Sequence, residues 1–186
     1  LTIGENYGGL CLKWIDLIVV LVAAAEGLCP LPIASHALAS TALLHCASQD
    51  QKSRWLPAMA SGEAVVTMGL YDEANWIAAE AVTAKATVDG DNVTLHGKKP
   101  FVNDALAANY MLLAVQGPDG LALAAVGSDQ VKVTAQPTID STKPMASVDI
   151  DGVQISTADL LDISPEQLAF LTCLLYTSPS PRDALT

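Results

Sequence analysis

The chain has 186 residues, of which 51% are hydrophobic, and its formal net charge is −11. Nucleic-acid phosphates are bound by basic surfaces, so this acidic chain is predicted to have no nucleic-acid partner. The length suits one large domain or two small ones, and the apolar fraction is sufficient for a well-formed core.

The longest apolar run, residues 17–25, is too short for the roughly twenty residues that span a bilayer, and no basic segment precedes it as in a signal peptide. A buried helix without membrane contact is therefore predicted. The four cysteines show no CxxC spacing and no histidine pairing, which predicts no metal site. Reduced thiols in a cytoplasmic protein are expected, some of them buried.

The first part of the chain has helical patterns separated by breaks. Glycines make residues 4–9 a loop, and residues 12–28 follow as a helix closed by Gly27. A proline-punctuated break at residues 29–32 leads to a second helix over 34–47. A third helix lies within 48–64, with Ser48 as N-cap and Gln51 completing a capping box. Pro57 and Gly62 are expected to mark its end.

From about residue 65 the pattern changes to the period of two that is typical of strands. Two segments, 81–88 and 92–97, flank an Asp89-Gly90 turn and predict a hairpin. A second hairpin is predicted for 109–116 and 121–126 around the turn at 117–120. Further strands are expected at 131–135 and 147–156. About six strands indicate an α+β fold, in which a helical segment precedes an antiparallel β-barrel-like or sandwich domain.

The C-terminal segment, residues 171–186, has no periodic pattern, and its Ser-Pro-Ser-Pro sequence cannot continue a helix. It is similar to translated adaptor or vector sequence, and a natural disordered tail is the alternative. The predicted division is a helical segment over 1–62, a β-domain over 63–165 and a tail over 166–186 that is interpreted as a sequencing or vector artefact.

Four motifs in the same order resemble the acyl-CoA dehydrogenase family. They are the Glu-Asn-Tyr-Gly-Gly loop at 5–9, the Gln-Lys-x-x-Trp-Leu-Pro and Gly-Glu pattern within 48–63, the Gly-x-Lys-x-Phe-Val stretch at 97–102, and the segment 140–155. The resemblance covers residues 4–165. It implies the end of an N-terminal helical domain and a middle β-domain, with the C-terminal helical domain of the family missing.

The resemblance implies that one wall of an FAD site is formed by two segments, through Met68, Leu70 and Tyr71 and through Phe101, Val102 and Asn103. Phe101 would lie beside the isoalloxazine ring, and Asn103 would offer a short hydrogen-bonding side chain. Several positions depart from the family pattern. Tyr71 stands where threonine is expected, Asp72 where glutamate is, Trp76 and Ile77 where Gly-Ser is, Asn103 where threonine or serine is, and Cys11 where a third glycine is common.

The implied activity is oxidation of an acyl-CoA substrate to the trans-2-enoyl-CoA, as in β-oxidation and other lipid metabolism. Electrons would pass to an electron-transfer flavoprotein or a similar acceptor. The family base is a glutamate of the C-terminal domain, so no catalytic residue is assigned, and this fragment is predicted to be inactive by itself. Asp72, Glu73 and Glu80 are interpreted as solvated loop acids. A homo- or hetero-oligomer is expected.

The departures at 71–77 and the Pro-rich junction within 26–40 leave a second hypothesis open. They are similar to the partner-subunit branch of heteromeric acyl-CoA dehydrogenases, in which one subunit type loses flavin contacts. The alternative is therefore a non-catalytic, flavin-poor partner subunit. The sequence specifies neither the acyl-CoA class nor the oligomeric state.

Overall fold

The computed structural model describes residues 1–72, 81–140 and 142–176. Four α-helices are present in this part of the chain: α1 (Trp14–Glu26), α2 (Ile33–Cys46), α3 (Gln49–Ser61) and α4 (Pro165–Tyr176). The strands are β1 (Val66–Gly69), β2 (Lys85–Asp89), β3 (Asn92–His96), β4 (Lys98–Asn103), β5 (Tyr110–Gly117), β6 (Gly120–Gly127), β7 (Lys132–Gln136), β8 (Met145–Asp149), β9 (Val153–Ser156) and β10 (Leu160–Asp162). The predicted α+β class is confirmed.

Local signals determine how the third helix begins and ends. Ser48 accepts a hydrogen bond from the backbone of Gln51, and the Gln51 side chain accepts one from the backbone of Ser48, so the predicted capping box is present. Gly62 ends the helix in the left-handed region, with φ 81°. The expectation that Pro57 ends it is wrong. Pro57 lies inside α3, because burial of Leu56 and Met59 on either side keeps this turn helical.

The strands form two mostly antiparallel sheets. The larger sheet has the order β10-β6-β5-β2-β3-β9, with β1 paired to β5, and the smaller has the order β4-β8-β7. Both predicted hairpins are present, with Asp89 opposite Asn92 and Gly117 opposite Gly120. Two pairings, β1 with β5 and β2 with β5, are parallel. The period-two pattern does not reveal this, because side chains alternate in the same way in parallel and antiparallel strands. The described residues contain more strands than the six or so expected.

Buried side chains form two clusters. One lies between the two sheets and includes Val93, Val102, Leu113 and Val148. The other joins the helices to the outer face of the larger sheet through residues such as Leu43, Leu56, Leu112, Leu123 and Leu171. The predicted boundary near Gly62 therefore crosses a continuous core, and the division into domains stays a prediction.

The backbone at Cys11 and the C-terminal end of α4 each bear on an expectation from the sequence. Cys11 has φ 52°, in the region that favours glycine, which agrees with the glycine that the family resemblance places there. The segment from Leu171 to Tyr176 continues α4, and Leu171 is fully buried, so the expectation of an unpatterned segment from Leu171 onward is wrong for these residues. The Ser-Pro-Ser-Pro sequence lies outside the described residues.

Across the described residues, no helix has the length and hydropathy that crossing a bilayer requires. All four cysteines are unpaired. Cys46 is half-buried and the others are exposed, so the expectation that some of them are buried is met at most in part, by Cys46.

Candidate functional site

The two segments that the sequence assigned to one site are adjacent in the fold. The Thr67 hydroxyl on β1 donates a 2.6 Å hydrogen bond to the carbonyl of Asn103 on β4. A Cβ added at Gly69 would lie 2.9 Å from Cγ2 of Val102 and 3.5 Å from Cγ of Lys99. The 2.9 Å approach is closer than real Cβ atoms come to a neighbour, so a larger residue at position 69 would require Val102 or β1 to shift.

The six predicted flavin residues divide by burial. Met68, Leu70 and Val102 are 7%, 3% and 0% exposed, and their side chains belong to the two core clusters. Phe101 is 38% exposed, whereas Tyr71 and Asn103 are half-buried. Side-chain contact with a ligand is therefore open to Phe101, Tyr71 and Asn103, and the other three support them from behind.

A β-bulge sets the direction of Phe101. Lys99 pairs with Val148 and Val102 pairs with Ala146, so Pro100 and Phe101 together oppose Ser147 alone. Such a bulge reverses the alternation of side chains, and it leaves Lys99 and Val102 inside while Phe101 points outward. Proline is tolerated at this point because the bulge removes one ladder hydrogen bond that proline could not donate.

An ion pair between Asp72 and Lys99 lies beneath this surface. The ammonium of Lys99 is 2.5 Å from Oδ1 of Asp72, and both side chains are fully or almost fully buried. Oδ2 of Asp72 also accepts hydrogen bonds from the backbone and hydroxyl of Thr83 and from the backbone of Ala84. Burial lowers the pKa of Lys99, and the hydrogen bond with Asp72 opposes that shift.

Asp72 is therefore not the solvated loop acid that the sequence analysis expected. Its carboxylate is desolvated, and four hydrogen bonds to it compensate for the lost hydration. Glu73 and Glu80, as well as Trp76 and Ile77, lie outside the described residues.

The end of β4 is tied to the helical part of the chain. Ser35 on α2 donates a 2.6 Å hydrogen bond from its hydroxyl to Oδ2 of Asp104. Asp104 follows Asn103 directly and has φ 56°, a conformation that side chains rarely adopt. The sequence analysis did not identify Ser35, Asp104 or the pairing of Lys99. The position of Lys99 on a strand had a local signal in the sequence, but its burial and the bulge that follows it did not.

The described residues fit one side of a flavin. Phe101 offers an aromatic face for a flat ring, and the Asn103 amide beside it carries both a donor and an acceptor. Two cavities lie elsewhere. One of about 490 Å³ is lined by Trp55 and Tyr110, and one of about 320 Å³ lies between α1 and α2. Among the described residues, no group of three potential metal ligands is found.

Comparison with known proteins agrees with this architecture. Residues 1–63 match the family model described as acyl-CoA dehydrogenase, N-terminal domain. The chain is 29% identical over 115 residues to (2S)-methylsuccinyl-CoA dehydrogenase of Cereibacter sphaeroides, covering 61% of this chain and 21% of that protein. It is 26% identical over 132 residues to the mitochondrial isobutyryl-CoA dehydrogenase of Dictyostelium discoideum, covering 67% of this chain and 32% of that protein. The matches thus span less than two thirds of these relatives.

Solved structures show the same fold. An acyl-CoA dehydrogenase from Geobacillus kaustophilus superposes with a TM-score of 0.81 at 18% identity, covering 94% of this chain and 49% of that chain. The ChsE4-ChsE5 complex from Mycobacterium tuberculosis gives a TM-score of 0.79 at 22% identity, over 91% and 46% of the two chains. A glutaryl-CoA dehydrogenase from Mycobacterium smegmatis in complex with FADH2 gives 0.63 at 18% identity, over 76% and 40%.

The helices packed on a two-sheet β-domain therefore have the fold of the N-terminal and middle domains of acyl-CoA dehydrogenases. The match of residues 1–63 to the family model and the similarity to these relatives support membership of the acyl-CoA dehydrogenase family.

Proposed function

We propose that this chain provides the helical segment and the middle β-domain of a flavin-dependent acyl-CoA dehydrogenase. The whole protein would oxidise an acyl-CoA to the trans-2-enoyl-CoA. The observation that carries the proposal is the exposed Phe101 beside Asn103, held by contact between β1 and β4. Bound FAD would supply the hydride acceptor.

The residues of this chain would bind and orient the cofactor rather than move the substrate proton. Phe101 would cover the ring and exclude water from that side, and Asn103 would hydrogen-bond to its polar edge. Asp72 is unsuited to act as a base, because its carboxylate is buried and already accepts four hydrogen bonds. We therefore expect no acyl-CoA turnover by the 186-residue chain alone.

The proposal extends to partners and setting. We propose in addition an acyl-CoA substrate, an electron-transfer flavoprotein or similar acceptor, a homo- or hetero-oligomeric assembly and a cytoplasmic location in lipid metabolism. The glutaryl-CoA dehydrogenase with FADH2 supports the cofactor, since it shares the fold.

The test is flavin binding by the whole protein, measured by the visible absorbance of purified protein after removal of free FAD. Phe101→Ala and Asn103→Ala should each weaken the affinity for FAD at least tenfold, and the purified variants should therefore retain less flavin. Phe170→Ala removes a comparably exposed aromatic on α4 and should leave binding unchanged. Equal FAD affinity in all three variants and the parent would contradict the proposed site.

Tyr71 favours a second candidate, a non-catalytic partner subunit of a heteromeric acyl-CoA dehydrogenase. A half-buried tyrosine occupies the position where the family resemblance places a smaller threonine. The fold shared with the ChsE4-ChsE5 complex is compatible with this assembly. A partner subunit would purify colourless by itself and carry flavin only when co-expressed with a second subunit, whereas a flavoenzyme would be yellow alone.

A further inference from the structure

We infer that the buried Asp72–Lys99 pair is a positioning unit that fixes Tyr71 and Phe101 relative to each other. It acts on the two segments that form the proposed flavin wall, so its role in cofactor binding depends on the proposed function. Its structural role in joining the segments does not.

The first part of the argument is connectivity. Asp72 follows Tyr71 directly and lies just beyond the end of β1. Its Oδ2 accepts hydrogen bonds from Thr83 and Ala84, immediately before β2, and its Oδ1 is paired with Lys99 on β4. One carboxylate therefore joins the segment that follows β1 to the starts of β2 and β4. Because Leu70 is 3% and Asp72 2% exposed, Tyr71 is held between two anchored neighbours.

The second part is the bulge. Lys99 is the last paired residue before Pro100 and Phe101, which oppose Ser147 alone. The direction in which a bulged residue points depends on where the paired residues on each side are held. Val102 is held on one side by the core and Lys99 on the other by Asp72. Phe101 thus has its orientation set by the same pair that holds Tyr71.

The third part is energetic. A buried ion pair is no more stabilising than well-packed apolar residues of similar volume, because desolvation offsets its attraction. Hydrogen-bond geometry, however, is directional where apolar contact is not. The pair therefore contributes orientation more than net stability, and its side chains, 0% and 1% exposed, are too deeply buried to contact a ligand themselves.

The decisive measurement is reciprocal and needs no flavin. In the 186-residue chain, Asp72→Asn should shift the backbone amide resonances of Phe101 and Asn103, and Lys99→Met should shift that of Tyr71. Amide exchange at the affected positions should be at least tenfold faster, while the β5–β6 hairpin should be unchanged. Asp72→Glu retains the carboxylate and should restore the Phe101 resonance. Arg54→Met, which breaks the exposed pair with Asp159, is the matched control.

The inference would be overturned if the resonance shifts were confined to the segment that carries the substitution. A uniform increase in amide exchange throughout the chain would also overturn it. A double variant, Asp72→Asn with Lys99→Met, guards against misfolding of the singles, because it leaves no unpaired buried charge and the amide oxygen of asparagine can still accept hydrogen bonds from Thr83 and Ala84. It should melt close to the parent yet move the Tyr71 and Phe101 resonances. Unmoved resonances in a folded double variant would also overturn the inference.

FAD titration of the whole protein, followed by flavin fluorescence, separates the two proposals. If the parent binds FAD, Asp72→Asn should weaken binding at least tenfold and Asp72→Glu should recover most of it. Equal binding by parent and Asp72→Asn would overturn the positioning role while leaving the proposed function intact. If the parent binds no FAD, the proposed function fails, and the reciprocal resonance shifts still decide the role of the pair.

Discussion

The Nδ1 atom of His36 accepts a 3.2 Å hydrogen bond from the backbone N–H of Val66, which ties α2 to the first residue of β1. Its Nε2 atom lies 3.2 Å from the carbonyl of Met59 on α3. An amide N–H only donates, so Nδ1 carries no proton, and Nε2 donates to the carbonyl. One neutral imidazole therefore connects two helices to the strand that enters the candidate site.

This geometry predicts that acidification destabilises the protein. Burial lowers the pKa of His36 below its ordinary value of 6.5. The unfolded chain therefore takes up the proton first as the pH falls below about 6.5, and the free energy of unfolding decreases until the pH reaches the lower folded-state pKa. Urea unfolding from pH 7.5 to 5 should show this decrease.

His36→Gln should reduce the slope of that pH dependence, because the glutamine cannot take up the proton. His96→Gln, which replaces the half-exposed imidazole of β3, is the matched control, and a reduction of the slope confined to His36→Gln would assign it to the buried imidazole. A parental slope in His36→Gln would mean that other groups cause the loss of stability.

Gly69→Ala should destabilise the β-domain through overpacking. The added Cβ would lie 2.7 Å from Cδ2 of Leu113 and 2.9 Å from Cγ2 of Val102. Overpacking of this kind costs about 1–3 kcal/mol. Thermal unfolding measures the cost. Gly27→Ala is the control, since its nearest neighbour would lie 3.6 Å away and its φ is −83°. Equal melting temperatures for parent and Gly69→Ala would contradict close contact between β1 and β4.

Leu171→Ala should show that α4 is part of the fold. Leu171 is fully buried in the cluster that joins the helices to the larger sheet. Removing a buried leucine side chain costs about 2–5 kcal/mol, so the midpoint of chemical unfolding should fall markedly. Cys173→Ala changes an exposed residue two positions on and should have little effect. If the two variants unfold alike, the helix is not packed as described.

Pro57→Ala should stabilise the protein. Pro57 is exposed inside α3 and cannot donate the helical hydrogen bond to the carbonyl of Ser53. Alanine restores this donor, and its helix propensity is up to about 3 kcal/mol more favourable. The melting temperature should rise. Ser53→Ala, on the same helix and exposed, should change stability by only a few tenths of a kcal/mol. An unchanged melting temperature in Pro57→Ala would mean that the local backbone has adapted fully to proline.

The sequence alone determined features whose causes lie within a few residues. The Ser48–Gln51 capping box, the left-handed end of α3 at Gly62 and the turns at Gly90 and Gly120 each depend on local hydrogen bonds or on φ angles that glycine permits. The order of helices and strands follows from hydrophobic period, and the motifs identified the family. None of these needs knowledge of a distant partner.

Tertiary structure decided which side chains face the candidate site. Lys99 could be expected on a strand, but its burial depends on Asp72, and the outward direction of Phe101 depends on a mismatch in register against β8. The strained Asp104 is held by Ser35 on a helix far away in the chain. These outcomes depend on which surfaces pack together. An unpaired charge costs free energy only where it is buried, and burial at Lys99 arises only when strands distant in the sequence pack against each other.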